Sequence, residues 1–475
     1  MKRFGIVYLI LVIMTLWSCI DDWNFSTSSR YKLSFSVDTV RFDTVFTGVV
    51  SATDGFMVYN HNDAGLRFDA IMGGGAASPF RMNLDGEGGA VITELEIPAG
   101  DSLFCFISVN ITPTDDPELF NAFDSIRFVL ESGEVQSIML SAQGQNAVRL
   151  NRKRIETDAV LTSRLPYIIT DTLFVVHGTT LRLEPGTRLY FHQNAVLDVS
   201  GQIIAKGTPD SVITMRGDRL DYMLPDLPYS LLDGQWGGII LRDGSYDNQL
   251  EWCDIHGGNW GILADSAGSD QMKVSIVSSI IHNVSGNGIE ATGCRIEVAN
   301  SQITNAGNTC VNLAGGWSYF TFCTIAGFSL WNIGSQAVLL TDSRDGSAVP
   351  FVSASFRNCI ITGRHATEFT VTVADSIRNT APYSVSNSLL MVQDSTDVRY
   401  RNVVFEDRSS KHFGSSNFVD HTMQGYSSIF MLDSLSAARG IADTLSAVWP
   451  VDLAGTARPL SGADAGCFQY KPPVK

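Results

Sequence analysis

Glu368 and Asp397 each stand nine residues after a small residue, Cys359 and Ser388, in two phrases built alike, NCII and NSLL. If these phrases are successive turns of one repeat, the two carboxylates stack at the strand spacing of ~4.8 Å. That is close to the ~5–5.5 Å between the carboxyl groups of a retaining glycosidase, and Arg399 follows Asp397 by two residues. A solvated surface ladder without chemistry is the competing reading. His256 and His282 each follow a small residue, Cys253 and Ser279, by three positions. Two imidazoles one turn apart would share a metal. No third ligand repeats at that level, where Thr304 and Ala326 stand, so the pair is expected at exposed turns. Asp342 and Asp345 in TDSRDGS offer oxygens to Ca²⁺, the one cofactor the sequence leaves open, against the plainer reading of a turn. Trp260, Trp317, Tyr319 and Trp331 offer ring faces on which sugars stack. Their neighbours Phe320 and Phe322 are assigned to an interior ladder and a corner.

A repeat must position all of these. The small residues of WCDI, VSSII, NSQI, FCTI, NCII and NSLL are Cys253, Ser279, Ser301, Cys323, Cys359 and Ser388, at intervals of 26, 22, 22, 36 and 29 residues. Three positions before them stand Leu250, Ile276, Val298, Phe320, Phe356 and Val385. Two positions after stand Ile255, Ile281, Ile303, Ile325, Ile361 and Leu390, and ten after stand Leu263, Ile289, Val311, Ile333, Phe369 and Val398. Every one of these flanking positions is apolar. Stacked coils put like over like and fill an interior in which each buried Ile or Leu contributes ~1.5–3 kcal/mol. No coil is stable alone, so the ends need caps, and the tail is expected to cover the last coil. Cys alternating with Ser marks a small buried position. It predicts free thiols, with a Cys323–Cys359 disulfide as the alternative.

The surrounding text carries three resemblances. EPGT, AKGT and WGGI, within the short strands that begin at TLFVV, resemble the opening coils of right-handed parallel β-helix proteins of the pectate-lyase-like kind, over residues 156–470. Upstream, FMVYN, IPAGDSLFCFISV and IMLSAQG look like the Ig-like domains that precede repeats in bacterial surface proteins. The tail segment GADAGCFQY looks like the close of surface β-helix proteins, usually DIGAFEY, with Ala465, Cys467 and Gln469 as departures. At the start, Lys2 and Arg3 precede an apolar run ending in LWSC, which resembles the lipobox of bacterial lipoproteins. That resemblance implies cleavage before Cys19, acylation of Cys19 and a membrane anchor. Asp21 and Asp22 look like the acidic tag that sends some lipoproteins to the exterior of the outer membrane. The expected chain is therefore all-β. It comprises a signal peptide (1–18), lipidated Cys19 and a tether (19–30), an N-terminal Ig-like β-sandwich (31–147) and a right-handed parallel β-helix with a C-terminal cap (148–475).

Composition narrows the partners. A formal net charge of −16, spread along the chain, opposes nucleic acid. Hydrophobic residues make up 44% and charged ones only 17%, so large cores can be buried. No GxSxG, Walker A, HExxH or dinucleotide fingerprint stands in a suitable context. The resemblance leaves lyases, hydrolases and non-catalytic proteins open, because one fold hosts them all. The preferred reading is a surface-anchored, non-enzymatic module for glycan or protein binding and adhesion. The alternative is a polysaccharide lyase or glycoside hydrolase acting on extracellular polysaccharide.

Overall fold

The computed structural model describes residues 24–114, 118–224, 226–266, 270–329, 336–409, 413–419 and 430–472. Cys19 and Trp331 lie outside the described residues. The chain divides into two compact units, Met1–Asn146 and Ala147–Lys475.

The first unit is a sandwich of two five-stranded sheets. Strand alternation builds it: in Leu66–Met72, Leu66, Phe68, Ala70 and Met72 are buried and the residues between them are not. Phe56, Phe80 and Phe128 join Phe68 in the core. Among the described strands of its sheets pairing is antiparallel except between Val135–Gln145 and Thr39–Phe46, which run parallel.

The second unit is a parallel β-helix. Among the described residues its strands form parallel sheets of 11, 9 and 10 members. The chain visits them in rotation: Val148–Leu150, Arg154–Ile155 and Ala159–Leu161 occupy one sheet each, and Tyr167–Ile169 returns to the first. Ile255, Ile281, Ile303, Ile325, Ile361 and Leu390 stack in register in the eleven-stranded sheet. Leu250, Ile276, Val298, Phe320, Phe356 and Val385 do so in the ten-stranded sheet. Between these two ladders the corner is one residue in the left-handed conformation. Trp252, Ser278, Asn300, Phe322, Asn358 and Asn387, with φ from 48° to 57°, each immediately precede the small residue.

That geometry accounts for Ser and Cys at the small position. The Ser279 hydroxyl donates to Val277 O (2.9 Å) and accepts the Cys253 amide of the preceding coil (3.1 Å). Ser301 and Ser388 accept the amides of Ser279 and Cys359 in the same way. The seven described cysteines are free and buried.

Two expectations need correction. The third ladder runs Ile262, Ile289, Val311, Val338, Phe369. Leu263 is one residue out of step, and Val398 is exposed. The spacing from the small residue is nine, ten, ten, fifteen and ten residues, because the corner into the nine-stranded sheet varies in length. The tail, expected over the last coil, lies along the outer face of the eleven-stranded sheet. Phe430 N bonds Gln302 Oε1 (3.1 Å), Cys467 N bonds Thr324 Oγ1 (3.1 Å), and Gly466 N bonds Asn358 O (2.8 Å). Leu453 and Phe468 pack on Trp252 and Ile280. The outward residues Ile280, Ile360 and Leu389 are apolar, so this face needs a cover rather than solvent.

Ser279→Ala should lower the unfolding free energy by about 1–3 kcal/mol, because it strands the buried Cys253 amide. Ser279→Cys should be much milder. Denaturant unfolding of the two variants checks this, and equal losses would remove the hydrogen-bonding role of the ladder.

Candidate functional site

An outward column of the ten-stranded sheet brings two of the aromatic candidates side by side. In Gly316–Thr321 the residues alternate, with Ser318 and Phe320 inward and Trp317 and Tyr319 half-buried on the outer face. Gly315 and Gly316 both take positive φ, 64° and 72°. A Cβ on Gly316 would stand 2.3 Å from Cys294 O. Glycine therefore lets the strand enter flush on the preceding coil, which seats Trp317 beside Arg295 and Tyr319 beside Glu297. The two rings lie 6.2 Å apart, tilted by 56°. The Arg295 guanidinium stands 5.9 Å from the Trp317 ring centre, within cation–π range, and donates to Glu297 (3.1 Å). The following coil places Ser353 beside Trp317 and Ser355 beside Tyr319, and Ser384 follows Ser355. Two aromatic faces are thus flanked by a cation, a carboxylate and hydroxyls across four coils, a surface suited to stacking on a sugar ring while bonding its hydroxyls.

Trp260, the other aromatic candidate among the described residues, does not join this group. Trp260 lies at the corner before Ile262–Ala264, where its backbone oxygen stands over Gly238 and its indole over Gly286.

The two carboxylates expected to stack do not. Glu368 is buried at the corner before Phe369–Thr372 of the nine-stranded sheet, where it accepts the amides of Ala337 (2.8 Å) and His365 (2.6 Å). Burial pushes its carboxyl up to about 7, against the pull of those amides. Asp397 precedes Tyr400–Arg401 of the ten-stranded sheet. Arg399 grips it through Nε (2.7 Å) and Nη2 (2.6 Å), and Tyr383 donates its hydroxyl. Burial works against the Asp397 charge, yet these donors hold its carboxyl down to about 2. The reason for the mismatch is topological. Phe369–Thr372 is the last described strand of its sheet, so after Leu389–Leu390 the chain passes to the ten-stranded sheet without a further strand there. Counting nine residues onward reaches different sheets in the two coils.

Asp342 and Asp345 belong to a tight hairpin, Ser343–Arg344 with Ser347–Ala348. Asp345 and Gly346, φ 49° and 78°, form its two-residue turn. Asp342 accepts the Ala374 amide (2.9 Å), and Asp345 points to solvent.

His256 and His282 are strand residues, not exposed turns. They sit in Cys253–His256 and Ile280–Val284, directly paired, with ring centres 4.6 Å apart. Both are about 5% exposed. Asp254 Oδ1 lies 3.0 Å from His256 Nδ1 and 3.2 Å from His282 Nε2. Repeat logic missed Asp254, because its column continues with Ile280 and Gln302. The available signal was local: in Asp-Ile-His the acid and the imidazole share one face of a strand.

No family model matches the chain. Over 109 residues it is 33% identical to Protein bark beetle of Drosophila melanogaster, which is 22% of this chain and 3% of that protein. The chain therefore spans only a small part of that relative's length. Among solved structures, a family 123 glycoside hydrolase from Clostridium perfringens aligns with a TM-score of 0.20 at 11% identity, over 27% of this chain and 30% of that one. An ASH/PapD-like domain of human CEP192 aligns with a TM-score of 0.18 at 12% identity, over 27% of this chain and 92% of that domain. At these scores neither likeness bears on fold or function.

Glu368 has a testable consequence. Its folded pKa lies above the unfolded value, so its contribution to stability is full below about pH 4.5 and is lost as pH rises through about 7. Glu368→Gln cannot ionise. Between pH 5 and 8 wild type should lose about 2.5 kcal/mol relative to this variant. Parallel pH–stability curves would show that the carboxyl is not held in this way.

Proposed function

We propose that this chain is a surface-displayed lipoprotein whose β-helix binds glycan, without turnover, on the outer face of the ten-stranded sheet. The reading rests on one observation: Trp317 and Tyr319 lie side by side on an outward column, between the Arg295–Glu297 pair and the serines of the next coil. Parallel coils give such a surface its repeat, since each coil adds one row of side chains at ~4.8 Å. A polysaccharide lying across several rows meets ring faces first and hydroxyl or charged groups on either side. A net charge of −16 favours neutral or weakly acidic glycans over strongly anionic ones. Display from the outer membrane, through acylated Cys19, is the location in which such a surface meets extracellular polysaccharide.

Carbohydrate-active catalysis is the rival reading, and the carboxylates nominated for it are engaged elsewhere. Glu368 is buried against backbone amides, and Asp397 is locked to Arg399 and Tyr383.

Affinity electrophoresis of the full-length chain against neutral and acidic polysaccharides tests the binding claim. Trp317→Ala with Tyr319→Ala should weaken retardation by about tenfold or more, on the order of 1.5 kcal/mol. No retardation by any polysaccharide, or retardation unchanged in the double variant, would remove the site. Release of unsaturated products or new reducing ends would replace the binding reading with the enzymatic one. The anchor is checked separately: labelled palmitate should enter wild type and not Cys19→Ala, and equal labelling would end the lipoprotein claim.

A further inference from the structure

We propose that Asp254, His256 and His282 bind one divalent transition-metal ion of the zinc class on the outer face of the eleven-stranded sheet. The fold brings them together by two rules. Period two along Cys253–His256 sets Asp254 and His256 on one face, and the parallel register sets His282 directly beside His256. Ligands bound at ~2.0–2.1 Å in a tetrahedral site stand roughly 3.3 Å from one another. Asp254 Oδ1 is 3.0 Å from His256 Nδ1 and 3.2 Å from His282 Nε2, so two edges of such a tetrahedron already exist. Among the described residues these three form a group whose ligand atoms all lie within 4.8 Å of one another. Two imidazoles and one carboxylate suit zinc-like ions, whereas Ca²⁺ and Mg²⁺ demand more oxygens.

The far ring nitrogens, His256 Nε2 and His282 Nδ1, are buried without a hydrogen-bond partner, so the nitrogens that face Asp254 are the ones that would hold the ion. The surroundings also enclose the site. The segment at Tyr229–Leu231 and Gln235 is stitched to the residues that follow each histidine. Gln235 N bonds Gly257 O (2.7 Å), Asn283 Nδ2 bonds Leu231 O (3.0 Å), and Trp236 Nε1 bonds His256 O (2.8 Å). Gln235 Oε1, in the same segment, is also buried without a donor. The Asp254 side chain remains 32% exposed, which leaves an entry path and a fourth position for water.

Arg216 is the neighbouring cation that opposes metal. Its guanidinium is directed to Gly217 O (3.2 Å) and Arg219 O (2.6 Å).

The test uses the untagged full-length chain, stripped with a chelator and then equilibrated with Zn²⁺ or Co²⁺. The expected result is one equivalent of metal per chain, a tetrahedral Co²⁺ visible spectrum and a raised melting temperature with Zn²⁺. Asp254→Asn and His282→Gln should each weaken Zn²⁺ binding by more than about tenfold. Absence of both metals from wild type would overturn the site, as would binding that survives both substitutions unchanged. If either variant fails to fold, the wild-type stoichiometry and Co²⁺ spectrum decide alone.

Discussion

The one-residue left-handed corner is the constraint on which the β-helix depends. It turns the chain from the ten-stranded into the eleven-stranded sheet without a loop, so the distance between the two interior ladders is fixed coil after coil. The conformation costs an ordinary L-residue roughly 1–2 kcal/mol, and Asn tolerates it better than most. Asn300, Asn358, Asn387 and Asn402 follow that preference. Trp252 and Phe322 do not, and both are held from outside. Trp252 packs on the Leu453–Phe468 cluster, and the Phe322 ring lies 4.2 Å from the Arg458 guanidinium. The tail therefore offsets corner strain as well as covering the sheet. The buried amides of Cys253, Ser279 and Cys359, just beyond their corners, are each met by a serine hydroxyl of the next coil, a contact that Ala or Val at this interior position would not make.

A fixed corner makes outward columns as regular as inward ones. Arg295 beside Trp317 and His256 beside His282 are two products of one register. Their surroundings differ because the faces differ. From Asp254 the outward column runs on through Ile280, Gln302, Thr324, Ile360 and Leu389. Its apolar members lie under the tail, and its first members lie beside the 229–235 segment. On the ten-stranded sheet the corresponding residues are half-buried and polar or aromatic. Among the described residues the helix thus has one face covered by the tail and one whose aromatic and polar rows stay half-buried.

What the sequence made legible follows the same division. Positions three before and two after the small residue were readable because a single-residue corner separates them in every coil. The ladder counted ten residues onward was not, since the next corner changes length between Ile262, Ile289 and Val338. The stacked Glu368–Asp397 pair was built on that unstable count and failed with it. Trp317 and Tyr319 were legible because they flank Phe320, an anchored interior residue. The tail's path was hidden because apolar residues do not say which face of a helix they cover, an end or a side. Asp254 was invisible to any search for recurring columns, for it occurs once.

Non-recurrence is itself informative. A parallel β-helix places like over like, and each interior column here is uniform because stacking rewards uniformity. The Asp254 and His256 columns break that uniformity within two adjacent coils, turning from Asp254 to Ile280 and from His282 to Thr304. Apolar side chains at these positions would be stabilised by the same cover that buries the histidines. Imidazoles instead carry buried nitrogens without partners, and unsatisfied polar groups of this kind cost on the order of 1–3 kcal/mol each. In these same two coils a dedicated hydroxyl meets the corner amides of Cys253 and Ser279. Leaving ring nitrogens open three residues beyond those amides is a local departure from that rule, and such departures gather where a protein binds something.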